Sequence, residues 1–313
     1  MKAGSHAHRQ DPRNERVLIH VNGRHVPRAE AVVSVFDSGF LLGDGIWEGI
    51  RLHNRQLVFI ERHMKRLYQA AKAIDLDIGM TPAEMERAIL AVCDANGMDS
   101  GVHIRLVVSR GEKITPYQSP AANRGGATVV IIPEWKLPDP DTLERGLSLF
   151  TVHVRRGAPD VQDPMWNSLS KLNCISACIQ ANKAGADEAL MLDPHGFVAT
   201  CNSTHFFVVR GGELWTSTGR YCLKGITRGK IIELAPELDL VAREKDFSLT
   251  EVYDADEAFV TGTFAGVTPV TTIDGRTIGA GSRGPVTEAL QRCYRAHVDA
   301  LYPGDGAGGG GAR

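Results

Sequence analysis

Apolar residues recur along the chain with two spacings, one typical of strands and one typical of helices. Residues 16–27 alternate between apolar and polar side chains on either side of Asn22-Gly23, a dipeptide that favours a tight hairpin turn. Residues 46–60 show a second alternating pattern. The chain is therefore predicted to begin with two β-hairpins.

Two helices are predicted next. Residues 61–76 place apolar side chains at helical spacing. In residues 81–97, Thr81 precedes a proline and lies three positions before Glu84, which is the pattern of a capped helix start. Two further apolar segments predict strands: 102–111 and 127–135.

The segment 133–142 contains three prolines in ten residues and is the predicted linker between two lobes. The N-terminal lobe is then expected over residues 16–132 and the C-terminal lobe over 143–303. Residues 1–15 and 304–313 carry little apolar surface, so both are expected to be disordered.

The second half of the chain mixes strands and helices in the same way. Its predicted strands cover 148–156, 188–216 and 256–270, and its predicted helices cover 164–184, 227–237 and 284–301. No internal repeat is evident. The order of elements predicts an α+β fold with mostly antiparallel strands.

Charge and composition exclude several classes of partner. Lys and Arg total 35 against 37 Asp and Glu, which gives a net charge of −2. A protein without a basic excess is not expected to bind nucleic acid or an anionic membrane. No apolar run reaches the roughly 20 residues of a membrane span. The polar N-terminus lacks the apolar stretch of a signal peptide, so a cytoplasmic location is expected.

The six cysteines are scattered and form no CxxC pair. Cys174 and Cys178 are one helical turn apart, a spacing that can hold a metal, but no second pair or nearby histidine completes a ligand set. The cysteines are therefore interpreted as small buried residues, and no metal site is predicted.

Three features are compatible with an anion site. Thr227 is a natural N-cap after Gly225, and a helix start exposes N–H groups that bind phosphate. The predicted strand that includes Phe259 leads into the turn Thr261-Gly262-Thr263, whose hydroxyls and backbone N–H groups could contact an anion. Arg66, a residue type suited to binding phosphate, lies on a predicted helix. Each feature alone is equally typical of a capped helix, a turn or a solvated surface.

A family resemblance gives these features a reason to converge. The segments "SVFDSGFLLGDGIWEGIR", "ERHMKRL", "HIRLVVSRG", "GADEALMLDPHGFVATCNSTHFFVV", "KGITR" and "FVTGTFAGVTPV" resemble the class IV aminotransferases, the fold-type-IV pyridoxal-phosphate (PLP) enzymes. This family includes the branched-chain and D-amino acid aminotransferases. The resemblance extends from about residue 17 to residue 302.

The resemblance implies a two-lobed fold with a PLP pocket between the lobes. It also implies an amino donor and a keto acid acceptor as substrates, and a homodimer in which each pocket borrows a loop from the partner subunit. The cofactor-binding residues that it implies are Arg66, Thr200, Ile226, Thr227 and Thr263. The substrate-side residues that it implies are Trp47, Arg105, Tyr117 and Phe264.

Two positions depart from the family pattern. The family's Schiff-base lysine stands 18 residues before the glycine matched by Gly185, and this chain has Asn167 there. The family's glutamate, which protonates the pyridine nitrogen and makes the ring an electron sink, is replaced by Thr200. An amide cannot form an imine, and a hydroxyl cannot hold the nitrogen charged as a carboxylate does.

Lys171 is the candidate for the missing amine. It follows Asn167 by four residues, and if both lie in one helix they share a face, separated by about 6 Å along the axis. Lys171 is then a relocated Schiff-base lysine. A gapped alignment that deletes one helical turn would place it at the family position directly. Lys224, beside the predicted phosphate site, is the rival amine.

The sequence leaves three functions open. The first is a PLP-dependent aminotransferase of class IV that acts on an amino acid or amine, with Lys171 catalytic. The second is a PLP-independent or catalytically altered homologue, either a lyase or a binding protein for a phosphorylated metabolite. The third is a structural dimer partner.

Overall fold

The structure is a computed structural model, which describes residues 4–304. Its helices are α1 (Ser38–Leu42), α2 (Ile60–Ala73), α3 (Pro82–Ala95), α4 (Pro140–Arg145), α5 (Pro159–Gln162), α6 (Leu172–Lys183), α7 (Ile226–Leu234), α8 (Leu249–Tyr253) and α9 (Pro285–Leu301). Its strands are β1 (Leu18–Val21), β2 (Arg24–Pro27), β3 (Gly45–His53), β4 (Gln56–Leu57), β5 (Val102–Ser109), β6 (Thr128–Trp135), β7 (Leu147–Thr151), β8 (Glu188–Leu192), β9 (Val198–Cys201), β10 (His205–Arg210), β11 (Glu213–Thr216), β12 (Val241–Glu244), β13 (Glu257–Gly262), β14 (Gly266–Ile273) and β15 (Arg276–Thr277).

The chain divides into two compact units. The N-terminal unit contains Gln10–Leu137, Trp166–Lys171 and the residues from Ala300 onward. The C-terminal unit contains Pro138–Met165, Leu172–Asp299 and the residues up to Arg9. The boundary after Leu137 falls inside the predicted linker, although β6 continues to Trp135 and α4 begins at Pro140. Within residues 4–304, no helix has both the length and the apolar character that crossing a membrane requires.

The N-terminal unit is built on a six-stranded antiparallel sheet in the order β2-β1-β6-β5-β3-β4. The predicted first hairpin forms as β1 and β2, and Asn22 and Gly23 turn with positive φ. One face of the sheet packs on α2 and α3 through a core that includes Ile46, Ile50 and Met85. The predicted capping box at Thr81 is present at the start of α3.

A short segment from the second half of the sequence belongs to the N-terminal unit because it pairs with β3. The Trp47 amide donates to the Asn167 carbonyl over 2.9 Å, and the Leu169 amide donates to the Gly45 carbonyl over 2.9 Å. These bonds satisfy an edge of β3 that its short partner β4 does not reach. The predicted lobe boundaries missed this exchange, since backbone pairing leaves no apolar pattern in the sequence.

The C-terminal unit contains a nine-stranded sheet in the order β12-β11-β10-β13-β14-β7-β8-β9, and β15 pairs with β14. Most neighbours are antiparallel, as predicted, and the pairs β11–β12, β7–β14 and β7–β8 are parallel. Helix α7 packs on one face of β10 and β13, where Ile231 meets Phe207 and Phe259. This contact places the start of α7 beside the ends of those strands.

The N-terminal residues were predicted to be disordered, but the structure gives residues 4–16 two short 3-10 helices. Asp11 caps the second of them by accepting from the Arg13 amide. In the first, the Ser5 hydroxyl donates to the buried carboxylate of Glu188. Polar contacts therefore order this segment, and a prediction based on apolar content overlooks them. Residues 1–3 and 305–313 of the predicted disordered ends lie outside the described residues.

Candidate functional site

Trp47 and Arg105 form the centre of a cationic cluster in the N-terminal unit. The Arg105 guanidinium lies over the Trp47 ring, 3.7 Å from its centroid. Arg105 pairs with Gly49 across β3 and β5, so its side chain lies on the same face of the sheet as Trp47, two residues before Gly49. A cation stacked on an indole face is held by electrostatic attraction to the ring.

Burial lowers the pKa of Arg105, and the nearby carboxylates of Glu134 and Glu48 oppose that shift. An arginine remains charged in any protein environment. The cluster therefore presents a mostly buried positive charge whose planar N–H donors match the geometry of a carboxylate.

Lys171 joins this cluster from the segment that pairs with β3. Its Nζ donates to the Asn167 Oδ1 over 3.1 Å and lies 5.3 Å from the centroid of the Trp47 ring. Asn167 itself is buried, with 5% of its surface exposed. The amine of Lys171 thus reaches the side chain of Asn167, the residue that matches the lysine of the family pattern.

The predicted helical position of Lys171 was wrong. Helix α6 begins at Leu172, and the residues before it follow β3 as an irregular chain, with Ser168 in an isolated bridge to Ile46. Lys171 and Asn167 therefore do not share a helix face. Their side chains meet because the chain between them turns, so the direct hydrogen bond replaces the geometric argument made from the sequence.

Arg66 is bound within the N-terminal unit by a buried acid. Its Nε and Nη2 donate to the two carboxylate oxygens of Glu48 over 2.8 and 2.6 Å. His63 Nδ1 lies 2.7 Å from the same carboxylate. Burial opposes the ionisation of Glu48, but the charge of Arg66 and the hydrogen bonds from His63 and Arg66 together lower its pKa. Burial also lowers the pKa of His63, so the imidazole is neutral at neutral pH.

The predicted residues of this unit lie on two sides of its sheet. Trp47 and Glu48 are consecutive in β3, and successive strand side chains point to opposite faces. Arg66 contacts Glu48, whereas Arg105 and Lys171 lie at Trp47. The structure therefore brings Trp47, Arg105 and Lys171 together, whereas Arg66 contacts the neighbouring strand residue Glu48.

Tyr117 is not brought to this cluster by any contact that the described residues give it. It lies in the connection between β5 and β6, and 60% of its surface is exposed. Its predicted role on the substrate side remains a prediction from the family resemblance.

In the C-terminal unit, Thr200 is buried on β9 and its hydroxyl is already used as a donor. Its Oγ1 donates to the Thr204 carbonyl over 2.8 Å. The Thr204 hydroxyl in turn donates to Glu188 over 2.7 Å. Complete burial raises the pKa of Glu188 even though Ser5 and Thr204 hydrogen-bond to it. Thr200 therefore has lone pairs to offer a ligand, but its proton is committed to the backbone.

The start of α7 differs from the predicted one. Gly225, not Thr227, is the N-cap, and it provides no side-chain hydrogen bond to the helix. Ile226 and Thr227 are consequently the first two helical residues, and both are buried. The exposed N–H groups of a helix start attract an anion, and here no capping side chain competes for them.

Thr263 and Phe264 lie in the turn between β13 and β14. Phe264 is buried, and His6 stacks on it with ring centroids 5.5 Å apart and planes inclined by 6°. The contact of His6 is not predictable from the sequence, because a histidine in a polar terminal segment carries no signal of an aromatic contact. The C-terminal unit thus contains Thr200, Thr227, Thr263 and Phe264.

A family model now accounts for these features together. Residues 45–273 match the model described as "Amino-transferase class IV". The chain belongs to the class IV aminotransferases. The family and the fold class predicted from the sequence are confirmed, and the cofactor of this family is PLP.

Individual class IV aminotransferases are similar over most of the chain. It is 41% identical over 288 residues to branched-chain-amino-acid aminotransferase-like protein 2 of Arabidopsis thaliana, covering 92% of this chain and 51% of that protein. It thus spans about half the length of that relative. It is 34% identical over 285 residues to the branched-chain-amino-acid aminotransferase of Pseudomonas aeruginosa, covering 88% of this chain and 91% of the relative.

A similar solved structure is that of the branched-chain amino acid aminotransferase from Thermobaculum terrenum in its PLP form. It superposes with a TM-score of 0.82 at 28% identity and covers 92% of this chain and 97% of that chain. The similarity extends to the fold of both units.

Each unit, taken by itself, offers chemical groups that suit a part of PLP. The start of α7 suits a phosphate, because its N-cap Gly225 makes no side-chain hydrogen bond to the first N–H groups of the helix. The amine of Lys171 beside Asn167 suits an aldehyde. The fit is weaker at the pyridine nitrogen, where Thr200 contributes a hydroxyl in place of a carboxylate.

Proposed function

We propose that this protein is a PLP-dependent aminotransferase of class IV that moves an amino group between an amino acid or amine and a keto acid. In this proposal Lys171 is the catalytic lysine. The single observation that carries it is the hydrogen bond of 3.1 Å from Lys171 Nζ to Asn167 Oδ1, which supports an amine beside the residue that matches the family's lysine. The names of the relatives, branched-chain and D-alanine aminotransferases, support amino acid substrates.

PLP, when bound, supplies an aldehyde carbon that bonds to amines and a ring that accepts electrons from the substrate's α-carbon. Lys171 would provide the amine that holds the aldehyde, and its Nζ would carry the proton between the substrate carbon and the cofactor. Asn167 orients that Nζ by accepting a hydrogen bond from it. The Trp47 ring lies on one side of the amine, with its centroid 5.3 Å from Nζ.

Arg105 is proposed to bind a substrate carboxylate. Its guanidinium is held flat on the Trp47 ring, so it meets an incoming carboxylate with little loss of side-chain entropy. Phe264 and Tyr117 are proposed to contact the substrate side chain, in keeping with the resemblance. A buried arginine favours amino acids over simple amines as donors.

The phosphate of PLP is assigned to Ile226, Thr227, Thr263 and Arg66. Backbone N–H groups at the start of α7 and the threonine hydroxyls donate hydrogen bonds, and Arg66 adds a positive charge. Glu48 and His63 orient Arg66 through their buried contacts.

Thr200 is assigned to the pyridine nitrogen. Because its proton is donated to the Thr204 carbonyl, the Thr200 oxygen offers only lone pairs and no negative charge. The ring nitrogen is then held protonated less strongly than by a carboxylate. We expect slower loss of the α-proton than in relatives with glutamate at this position.

A homodimer and a cytoplasmic location complete the proposal. Segment 32–42 exposes six large apolar side chains, namely Val32, Val33, Val35, Phe36, Phe40 and Leu42. A surface of this kind usually marks an interface, and the family's pocket borrows a loop from its partner. The six cysteines are all unpaired thiols, which supports a reducing compartment.

The dimer is tested by sedimentation at micromolar concentration. The wild-type protein should sediment as a dimer, and Phe40→Glu should shift it toward the monomer because Phe40 is 69% exposed in segment 32–42. Val241→Glu is the matched control, since Val241 is an exposed apolar residue on β12. A stable wild-type monomer would contradict the proposal.

The role of Lys171 is tested by covalent trapping. The protein is mixed with PLP, reduced with borohydride and digested, and the labelled peptide is identified by mass spectrometry. The wild-type protein should carry the label on Lys171, and Lys171→Ala should lose both the label and aminotransferase activity. Lys183→Ala at the end of α6 is the control and should keep both.

Two outcomes would reject the aminotransferase proposal. Label on Lys224 would transfer the role to the rival amine beside the α7 start. Absence of label and of activity, while phosphate ligands still bind, would favour the altered homologue. Asn167 and Thr200 are the specific observations that favour this second function, because neither can replace the lysine or the glutamate of the family pattern.

A further inference from the structure

Thr261 has a buried hydroxyl whose hydrogen-bonding capacity is unused. The residue lies on β13, is 0% exposed, and its Oγ1 has no hydrogen-bond partner among the described residues. Thr142 is a second buried threonine of this unit without a partner in the described part of the chain, whereas Thr216 donates to the Phe206 carbonyl over 2.8 Å and Thr287 to Glu257 over 2.7 Å. A buried polar group without a partner is destabilising, and a ligand that accepts a hydrogen bond from it would offset that cost.

Strand register places Thr261 beside the start of α7. It pairs directly with His205 across β13 and β10, so the two side chains lie on the same face. Two residues further along, the paired Phe207 and Phe259 of that face pack against α7. The His205 ring lies against Gly225, where a Cβ would overlap it. The Thr261 hydroxyl is therefore next to the ring that adjoins the N-cap of α7.

We propose that Thr261 is a further phosphate-binding residue, whose hydroxyl donates to a phosphate monoester held at the start of α7. The inference rests on the proposed function and adds a residue to its phosphate site. Two independent features meet there, namely the helix start of nine-residue α7 without a capping side chain and the unpartnered hydroxyl of Thr261. His205 is assigned a positioning role, because its ring fills the space beside Gly225.

A role of Thr261 in ligand binding and a role in folding predict different effects of substitution on the stability of the ligand-free protein. If Thr261 serves a ligand, its hydroxyl contributes nothing to the ligand-free protein, and replacing it with the isosteric valine should leave the fold at least as stable. If Thr261 served the fold, the same replacement would lower stability. Replacing Thr216 with valine should lower stability, since its hydroxyl has a backbone acceptor inside the sheet.

The test compares Thr261→Val with Thr216→Val. Affinities for inorganic phosphate and for PLP are measured by isothermal titration calorimetry, and ligand-free stability is measured by urea denaturation. We expect Thr261→Val to bind both ligands about tenfold more weakly, the usual effect of losing one hydrogen bond to a charged group. Its urea midpoint without ligand should equal or exceed that of the wild type. Thr216→Val should show a lower midpoint and unchanged affinities.

Wild-type affinity in Thr261→Val would overturn the inference, and so would a lower ligand-free midpoint with unchanged affinity. Absence of phosphate and PLP binding by the wild-type protein would also overturn it. Lys171→Ala distinguishes this result from failure of the proposed function, because that variant should bind inorganic phosphate as the wild type does. Weakened phosphate binding in Thr261→Val together with no PLP label on Lys171 would support the phosphate site and reject the aminotransferase.

Discussion

Replacing Glu48 with glutamine tests the contact that orients Arg66. The carboxylate is fully buried and accepts two hydrogen bonds from Arg66 and one from His63. Glutamine has nearly the same shape, but it removes the negative charge and turns one acceptor oxygen into an NH₂ donor that faces another donor. The variant leaves the charge of Arg66 without its buried counterion.

The expected loss of stability is large for a single isosteric change. Two unit charges about 4 Å apart interact by about 4 kcal/mol at the effective dielectric of ~20 that suits protein sites. Removing one partner of a buried pair typically destabilises a protein by about 3–5 kcal/mol, because the other charge stays buried. Arg66 keeps 13% of its side chain exposed and can recruit water, so we expect about 3 kcal/mol.

The effect should depend on pH in a defined direction. The pKa of Glu48 in the folded protein lies below its ordinary value of 4.5, so the unfolded chain binds the proton more tightly. The ion pair therefore stabilises the fold fully above about pH 4.5, and this stabilisation is lost as the pH falls through the folded-state pKa. The stability difference between wild type and Glu48→Gln should narrow over the same interval.

Urea denaturation at neutral pH and at several values below pH 4.5 measures both effects. Glu213→Gln is the matched control, because its salt bridge with Arg243 is exposed and should contribute less than about 1 kcal/mol. A loss below about 1 kcal/mol for Glu48→Gln at neutral pH would refute the reasoning, since a buried pair would then behave like an exposed one. A stability difference between wild type and Glu48→Gln that stays constant as the pH falls would refute the conclusion that Glu48 is ionised in the folded protein.

Two further predictions concern the candidate site. Arg105→Met keeps the bulk of the side chain but removes the charge over Trp47, so KM for amino acid donors should rise about tenfold or more. KM for simple amines should not change. Steady-state kinetics with both donor classes measures this, and an equal rise in KM for the two classes would contradict it. Gly225→Ala introduces a Cβ that overlaps the His205 ring, so urea denaturation should record a loss of about 2 kcal/mol. Gly126→Ala, which meets nothing within 4 Å, is its control and should not lose stability by overlap.

The sequence predicted those elements whose causes are local. The hairpin at Asn22-Gly23 and the capping box at Thr81 are set by residues within a few positions of each other, and both are present in the structure. The Thr227 cap was wrong for a tertiary reason: the chain enters α7 at Gly225, where the His205 ring takes the space of a side chain. A natural capping residue is not used when packing decides where the helix begins.

The candidate site was predicted in part, since the resemblance named residues but did not give their contacts. The stacking of Arg105 on Trp47 follows from cross-strand register, which a single sequence does not reveal. The ion pair between Arg66 and Glu48 was missed because an acid inside a β-strand looks like an exposed residue until the opposite face is known to be buried. Strand alternation indicates that Glu48 and Trp47 point to opposite faces of the sheet, but the sequence does not show which residues contact Glu48.

Lys171 illustrates how a correct residue can follow from an incorrect geometry. The sequence argument placed it one helical turn from Asn167, whereas the structure begins α6 at Leu172 and holds the preceding residues against the edge of β3. Pairing with β3 fixes the Asn167 backbone, and the irregular turn after it returns the Lys171 amine to the Asn167 side chain. The position of the amine thus depends on this edge pairing and not on helix periodicity. Changes that disturb the pairing of residues 166–171 with β3 should therefore displace the amine even when Lys171 itself is retained.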